Sequence, residues 1–183
     1  MKVLLRKALP EDFQEIAFVH YKAWLETYHG LLPKIFLDKR SLESSITIFK
    51  NNHCANTVVA IADDKVVGFC CWGSLRENSF QENLGEIQGI YLLDAYQKNK
   101  IGRKIIEFAL EQLVTEKYSK VGLWVLNTNE NAINFYKKMG FSDTGIFKEE
   151  NLGEVVTEIF LRRNYRQKYI SDIFFYFVPL LYF

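Results

Sequence analysis

The chain has 183 residues, enough for one domain with a sizeable core. Lys and Arg number 23 and Asp and Glu 22, a net charge of +1 that argues against a general nucleic-acid binder, which is usually strongly basic. With 15% aromatic and 25% charged residues, the composition is that of a folded soluble protein rather than a disordered one.

In chain order, "VLLRKAL" reads as a first strand. Pro10, Glu11 and Asp12 then open a helix, since proline fits a first turn and acids suit the positive helix end. Phe13, Ile16, Ala17, His20 and Trp24 recur at helical spacing, so this helix should run to about Tyr28 and stop at Gly30. "PKIFLDKRSLESSITIFKN" reads as a second helical stretch. In "TVVAIADDKVVGFCCWGS" two β-branched runs flank Asp63 and Asp64, which predicts a hairpin with a tight turn. "SLRENSFQENLG" is polar loop and "EIQGIYLL" another strand. "KIGRKIIEFALEQLVTEKY" is an amphipathic helix, "KVGLWVL" a strand, and "NENAINFYKKMGF" a helix closed by Gly140. "FSDTGIFKEE" and "EVVTEIFLRR" form a closing pair of strands. Hairpins mixed with helical crossovers predict an α/β domain with a mixed sheet and helices on both faces.

The three cysteines, Cys54, Cys70 and Cys71, show no CxxC spacing. Neither a disulfide framework nor a zinc site is expected, and free thiols point to a reducing cytoplasm. His20, His29 and His53 lack ligand spacing, so no metal is expected, and His20 on an apolar helix face reads as structural. The N-terminal apolar patch is too short for a signal peptide, and no uncharged apolar run reaches the ~18 residues of a membrane span.

"YQKNKIGRKII" gathers Lys98, Lys100, Arg103 and Lys104 around Gly102 where a helix begins. The first N–H groups of a helix have no internal partners and carry partial positive charge, so such a turn can bind an anion. Gly102 lets a phosphate approach the backbone without meeting a Cβ. The run lacks the GK[S/T] ending of a nucleoside-triphosphate loop and the GxGxxG of a dinucleotide site. By itself it reads equally well as a solvated face.

A second motif downstream changes that balance. The chain resembles the GNAT superfamily of acyl-CoA-dependent N-acetyltransferases. Gln97, Lys98, Asn99, Lys100, Ile101, Gly102 and Arg103 are similar to the family's phosphate loop, Q/R-x-x-G-x-G-A/R. "LWVLNTNENAINFYKKMGF" resembles the strand and helix that follow in the family, with Asn129, Ala132, Phe135, Tyr136 and Gly140 at its spacing. "AIADDKVVGFCCW" and "VHYKAWLETYHGLLPKIFLDKRS" resemble its hairpin and first helices, and the likeness covers roughly residues 3–162. It implies a mostly antiparallel twisted sheet of about seven strands, helices on both faces, in residues 1–163. One position departs: Lys100 stands where the pattern has its first glycine. A positive φ there would strain a lysine by ~1–2 kcal/mol, whereas a need for only an N–H would let Lys100 add charge.

The resemblance implies acetyl-CoA as donor, no metal, and the amine of a small molecule or peptide as acceptor. Its pyrophosphate would lie on the N–H groups of residues 98–103, and its pantetheine arm beside Tyr91 and Leu92, paired like an extra strand. A backbone N–H near Leu92 would donate to the carbonyl oxygen. By position in the motif, Tyr136 would protonate the departing thiolate and Glu86 would take the amine's proton. Asn129 would serve the cofactor arm and cap its helix. Trp24, Glu26 and Tyr28 could form an acceptor pocket between the first helices and the 73–83 loop. A core Trp24 and a solvated Glu26 is the preferred alternative.

Residues 164–183 end in an aromatic and aliphatic run and read as a docking or dimerisation segment, with homodimerisation plausible. The competing functions are an acyl-CoA sensor without turnover, favoured by the missing loop glycine, and nucleic-acid contact through the basic loop, opposed by the charge balance.

Overall fold

The computed structural model describes residues 1–52, 54–76 and 83–165. Seven strands form one sheet: β1 (Leu4–Lys7), β2 (Thr57–Ala62), β3 (Lys65–Ser74), β4 (Leu84–Leu92), β5 (Lys120–Leu126), β6 (Ser142–Asn151) and β7 (Val155–Asn164). Their order across the sheet is β1-β2-β3-β4-β5-β7-β6, and only β4 and β5 run parallel. The helices are α1 (Phe13–Tyr28), α2 (Lys34–Leu37), α3 (Leu42–Asn51), α4 (Ile101–Thr115) and α5 (Glu130–Lys138). This is the mixed, mostly antiparallel architecture expected.

The sheet divides two apolar clusters, as period-2 alternation requires. Val59 and Phe69 face α1 and α3, meeting Ile16, Val19 and Phe49. Val58 and Cys70 face the other way, toward Ile105, Ile106 and Leu113 of α4 and Tyr136 of α5. Adjacent Cys70 and Cys71 thus fall on opposite faces. His20 packs edge-on to Tyr91 and Phe49 and shares a 2.9 Å hydrogen bond with Ser45, a structural histidine as expected.

Local chemistry explains most boundaries. Asp63 and Asp64 both take positive φ, 51° and 60°, which is the two-residue turn that matches strand twist. Gly140 closes α5 at φ 85°. The expected second helical stretch is broken instead: Ser41 accepts the Ser44 N–H at 3.1 Å and starts α3 afresh, a capping signal inside an apolar pattern. Helix α4 ends at Thr115, short of Tyr118, because Lys117 turns left-handed.

One irregularity positions the site. Opposite Cys71 and Trp72, β4 carries Gln88 as an extra residue, a bulge that bends the strand. Pairing with β5 stops after Leu84, Gly85 and Glu86, although both strands continue. Gly122, opposite Glu86, has no room for a side chain, because a Cβ there would collide with the Phe160 ring. Beyond this point β4 and β5 splay apart.

Strand β7 runs to Asn164, and Tyr165 donates its hydroxyl to the Leu110 carbonyl at 3.1 Å. The expected docking tail lies, from residue 166, outside the described residues, as do residues 77–82 of the polar loop and His53. Among the described residues no helix is long and apolar enough to cross a membrane.

Candidate active site

The site starts from backbone. The first rung of α4 joins the Lys104 N–H to the Lys100 carbonyl, so the amides of Ile101, Gly102 and Arg103 precede the ladder. Lys98 and Lys100 both adopt positive φ, 62° and 61°, to swing the chain from the 3-10 turn at Asp94–Tyr96 into the helix. Lys100 therefore does occupy the left-handed conformation for which glycine is preferred, and carries that strain.

Above this turn lies a cleft of about 890 Å3. It is lined by Tyr91 and Leu92 of β4, by Gln97, Lys98 and Lys100 of the loop, by Gly102 and Arg103 of α4, and by Asn129 at the start of α5. Side chains of two expected loop residues are elsewhere. Ile101 is 2% exposed in the core. The Asn99 amide bends back to the Gln97 carbonyl at 3.1 Å and braces the loop. The residues present fit coenzyme A. A Cβ on Gly102 would meet nothing closer than 3.8 Å, so protein packing does not require glycine there. Glycine inside a helix costs ~1 kcal/mol relative to alanine, and the feature it preserves is open backbone facing the cleft. Asn129 caps α5, accepting the Ala132 N–H at 3.1 Å, and also lines the cleft.

On the other side of Tyr136 is a second cavity, about 500 Å3, at the splay of β4 and β5. Tyr136, Tyr91 and Ile90 line both spaces. Burial pushes the phenols of Tyr136 and Tyr91 well up, so both stay protonated near neutral pH.

Glu86 lines this second cavity and is 1% exposed. Its carboxylate accepts the Arg76 backbone N–H at 2.9 Å and the Arg76 guanidinium at 2.6 and 3.1 Å. The carboxylate in turn raises the Arg76 pKa. Trp24 and Tyr28 also line the cavity, with ring centroids 4.8 Å apart, and Trp24 is 7% exposed, at once core and wall. Glu26 departs from the expected trio. It lines the larger cleft, accepts the Asp94 N–H at 3.1 Å and pairs with Lys22 at 3.6 Å. Residues two apart on a helix face different ways, so Glu26 cannot share a wall with both neighbours.

Several lining residues escape sequence reasoning. Arg40 lies over the Trp24 ring, 4.4 Å from its centroid. Lys148 lies 4.5 Å from the Trp124 centroid and 3.2 Å from Glu158. Lys148 and Glu158 are direct cross-strand partners, so the β6–β7 register was the available signal. Glu86 lies opposite Gly73 in the register, and Arg76, two residues beyond the end of β3, bonds to it from the loop, which no local sequence signal indicates. Arg40 and Trp124 offered no sequence signal.

Comparison with known proteins bears on family and fold. Residues 10–141 match the acetyltransferase (GNAT) family. An uncharacterized N-acetyltransferase of Bacillus subtilis (strain 168), YuaI, is 33% identical over 138 residues, 74% of this chain and 78% of that protein. The spermidine N(1)-acetyltransferase of Thermoplasma acidophilum is 25% identical over 149 residues, 77% of this chain and 89% of that protein. The crystal structure of a PaiA N-acetyltransferase from Thermoplasma acidophilum in complex with coenzyme A superposes with a TM-score of 0.74. It covers 90% of this chain and 100% of that one at 20% identity, a likeness of fold.

Proposed function

Because the chain belongs to the GNAT acetyltransferase family, and is thereby an acetyl-CoA-dependent N-acetyltransferase, we propose that it acetylates a primary amine seated in the cavity lined by Trp24, Tyr28 and Glu86. The acceptor is a small molecule, such as a polyamine or amino acid, or a peptide N-terminus. Acetyl-CoA supplies an activated acetyl carbonyl and a thiol leaving group.

The amides at the start of α4 bind the diphosphate, and Lys98 and Arg103 add charge beside it. Tyr91 and Leu92 offer strand edge to the pantetheine arm, in the gap that β5 leaves open. Asn129 lines the same arm's path while capping α5. The incoming ammonium gives one proton to Glu86, because only the neutral amine has a lone pair. That lone pair makes the new C–N bond as the C–S bond breaks. Tyr136 hands its proton to the departing sulfur and recovers one from the nitrogen as the amide forms. The Arg76 backbone N–H and guanidinium hold the Glu86 carboxylate in a fixed place.

The observation that carries this reading is that Tyr136 lines both spaces, the cleft over the helix start and the aromatic cavity. The test is thiol release from acetyl-CoA with polyamines, amino acids, aminoglycosides and peptides, alongside calorimetry with coenzyme A. Absence of coenzyme A binding by folded protein would remove the assignment.

A further inference from the structure

Six charged side chains line the aromatic cavity: Arg40, Arg76, Lys148, Glu86, Glu150 and Glu158. Their formal charges cancel, but their pairing is uneven. Arg76 holds Glu86 at 2.6 Å. Lys148 reaches Glu158 at 3.2 Å and Glu150 at 3.7 Å. Every carboxylate on the wall thus has a cation within reach, with Lys148 shared between two of them.

Arg40 is different. It sits in the turn before α3, half-buried, with its guanidinium over Trp24 at 4.4 Å and Phe36 at 5.2 Å from the ring centroids. Among the described residues no carboxylate lies within ion-pair distance of it. Stacking on two rings fixes the plane of the guanidinium and leaves its N–H edge for an acceptor. Its charge also acts on the Tyr28 and Tyr91 hydroxyls, which line the same cavity. A second donor stands on the same wall. The Nε1–H of Trp124 is buried and donates to nothing among the described residues. A buried donor without an acceptor is a loss of ~1–3 kcal/mol that a ligand acceptor can relieve.

We infer that the acceptor is an amine that also carries a carboxylate, an amino acid in chemical class, and that Arg40 is the residue that selects it by binding that carboxylate. This inference rests on the acetyl-transfer reading above. A polyamine would bring further cations and leave the Arg40 guanidinium and the Trp124 Nε1–H without an acceptor. A zwitterion leaves the wall neutral and satisfies Arg40. The reaction is the one already balanced: the amine forms the C–N bond, the thiol leaves, and the product is an N-acetylated acid. The apolar remainder of the wall, Trp24, Phe36 and Trp124, favours an aromatic or aliphatic side chain.

The test compares the common amino acids, each beside its own carboxamide, and spermidine, in the thiol-release assay. The expected result is at least one acid turned over with a kcat/KM about tenfold or more above its carboxamide, the size of one hydrogen bond to a charged group. Arg40→Gln should erase that ratio chiefly through KM, and Arg40→Lys should restore part of it. Equal use of acid and carboxamide, preference for spermidine, or an acid preference that survives Arg40→Gln overturns the inference. Calorimetry with coenzyme A separates the two levels. Normal binding without turnover of any acid defeats the Arg40 assignment alone, whereas lost binding by the folded wild-type chain defeats the transfer reading and this inference with it.

Discussion

The larger cleft and the aromatic cavity meet at Tyr136 yet are built in opposite ways. The cleft lies over one short turn, Gln97 to Arg103, whose unladdered amides any sequence with that turn would present, and is walled by residues of α1, β4 and α5. The cavity is made from side chains on α1, α2, the turn before α3, β4, β5, α5, β6 and β7. On the proposed reading the first recognises what every donor of its class shares, a diphosphate and a peptide-like arm, and the second recognises what varies, the acceptor. A site made of backbone tolerates sequence change, whereas one made of converging side chains is altered by any of them.

The contrast can be broken most sharply at the boundary. Tyr136→Phe is expected to lower kcat by ~10²–10⁴-fold while leaving coenzyme A affinity within about twofold, measured by steady-state thiol release and calorimetry. Full activity would remove its acid role and sever the link between the two spaces.

On the cavity side, His20 backs Tyr91 edge-on at 5.0 Å, and burial holds its pKa near about 4 instead of 6.5. It is neutral in the folded protein, while the unfolded chain takes up a proton below 6.5. Stability should therefore be complete above about pH 6.5 and fall as the pH drops toward 4, by up to ~3 kcal/mol. Denaturant melts across that range should show the slope, and His20→Gln should flatten it.

Gly102 tests the backbone side. Gly102→Val should weaken coenzyme A binding by about tenfold or more, one charge-assisted hydrogen bond's worth, with little change in Tm. Gly102→Ala sharpens the point, because a Cβ has room in the protein at 3.8 Å. Its Tm should rise by a few degrees, about 1 kcal/mol of helix propensity, while coenzyme A affinity still falls. Unchanged affinity would mean that the amides of this turn do not hold the diphosphate.

The smallest effect is expected at Lys100→Gly. Relief of a left-handed lysine should stabilise the fold by ~1 kcal/mol. Coenzyme A affinity should change less than about threefold, since one exposed charge is removed and the N–H remains. A larger loss would show that the Lys100 charge, rather than its amide, engages the ligand.

Much of this was legible in the chain. The Asp63-Asp64 hairpin, the amphipathic α4 and the Gly140 cap follow from local propensity and period. That Tyr136 and the Gln97–Arg103 turn line neighbouring spaces follows from their positions in short motifs. The break between α2 and α3 was hidden because Phe36, Leu37, Leu42 and Ile46 continue a helical apolar pattern, and only the Ser41 cap interrupts it. Glu26 was grouped with Trp24 and Tyr28 by proximity along the chain, although a helix sends neighbours to different walls. The Arg76 clamp on Glu86 needed the strand register, and the stacking of Arg40 on Trp24 needed two separate helical segments to be placed.

The sequence alone determined the order of elements, the family likeness and the place where an anion could meet bare amides, since each depends on residues within a few positions of one another. Only the tertiary structure decided which charges of the aromatic cavity pair with each other and that Arg40 stands over rings instead, because ion pairing falls off over a few ångströms and those side chains come from segments as far apart as Arg40 and Glu158.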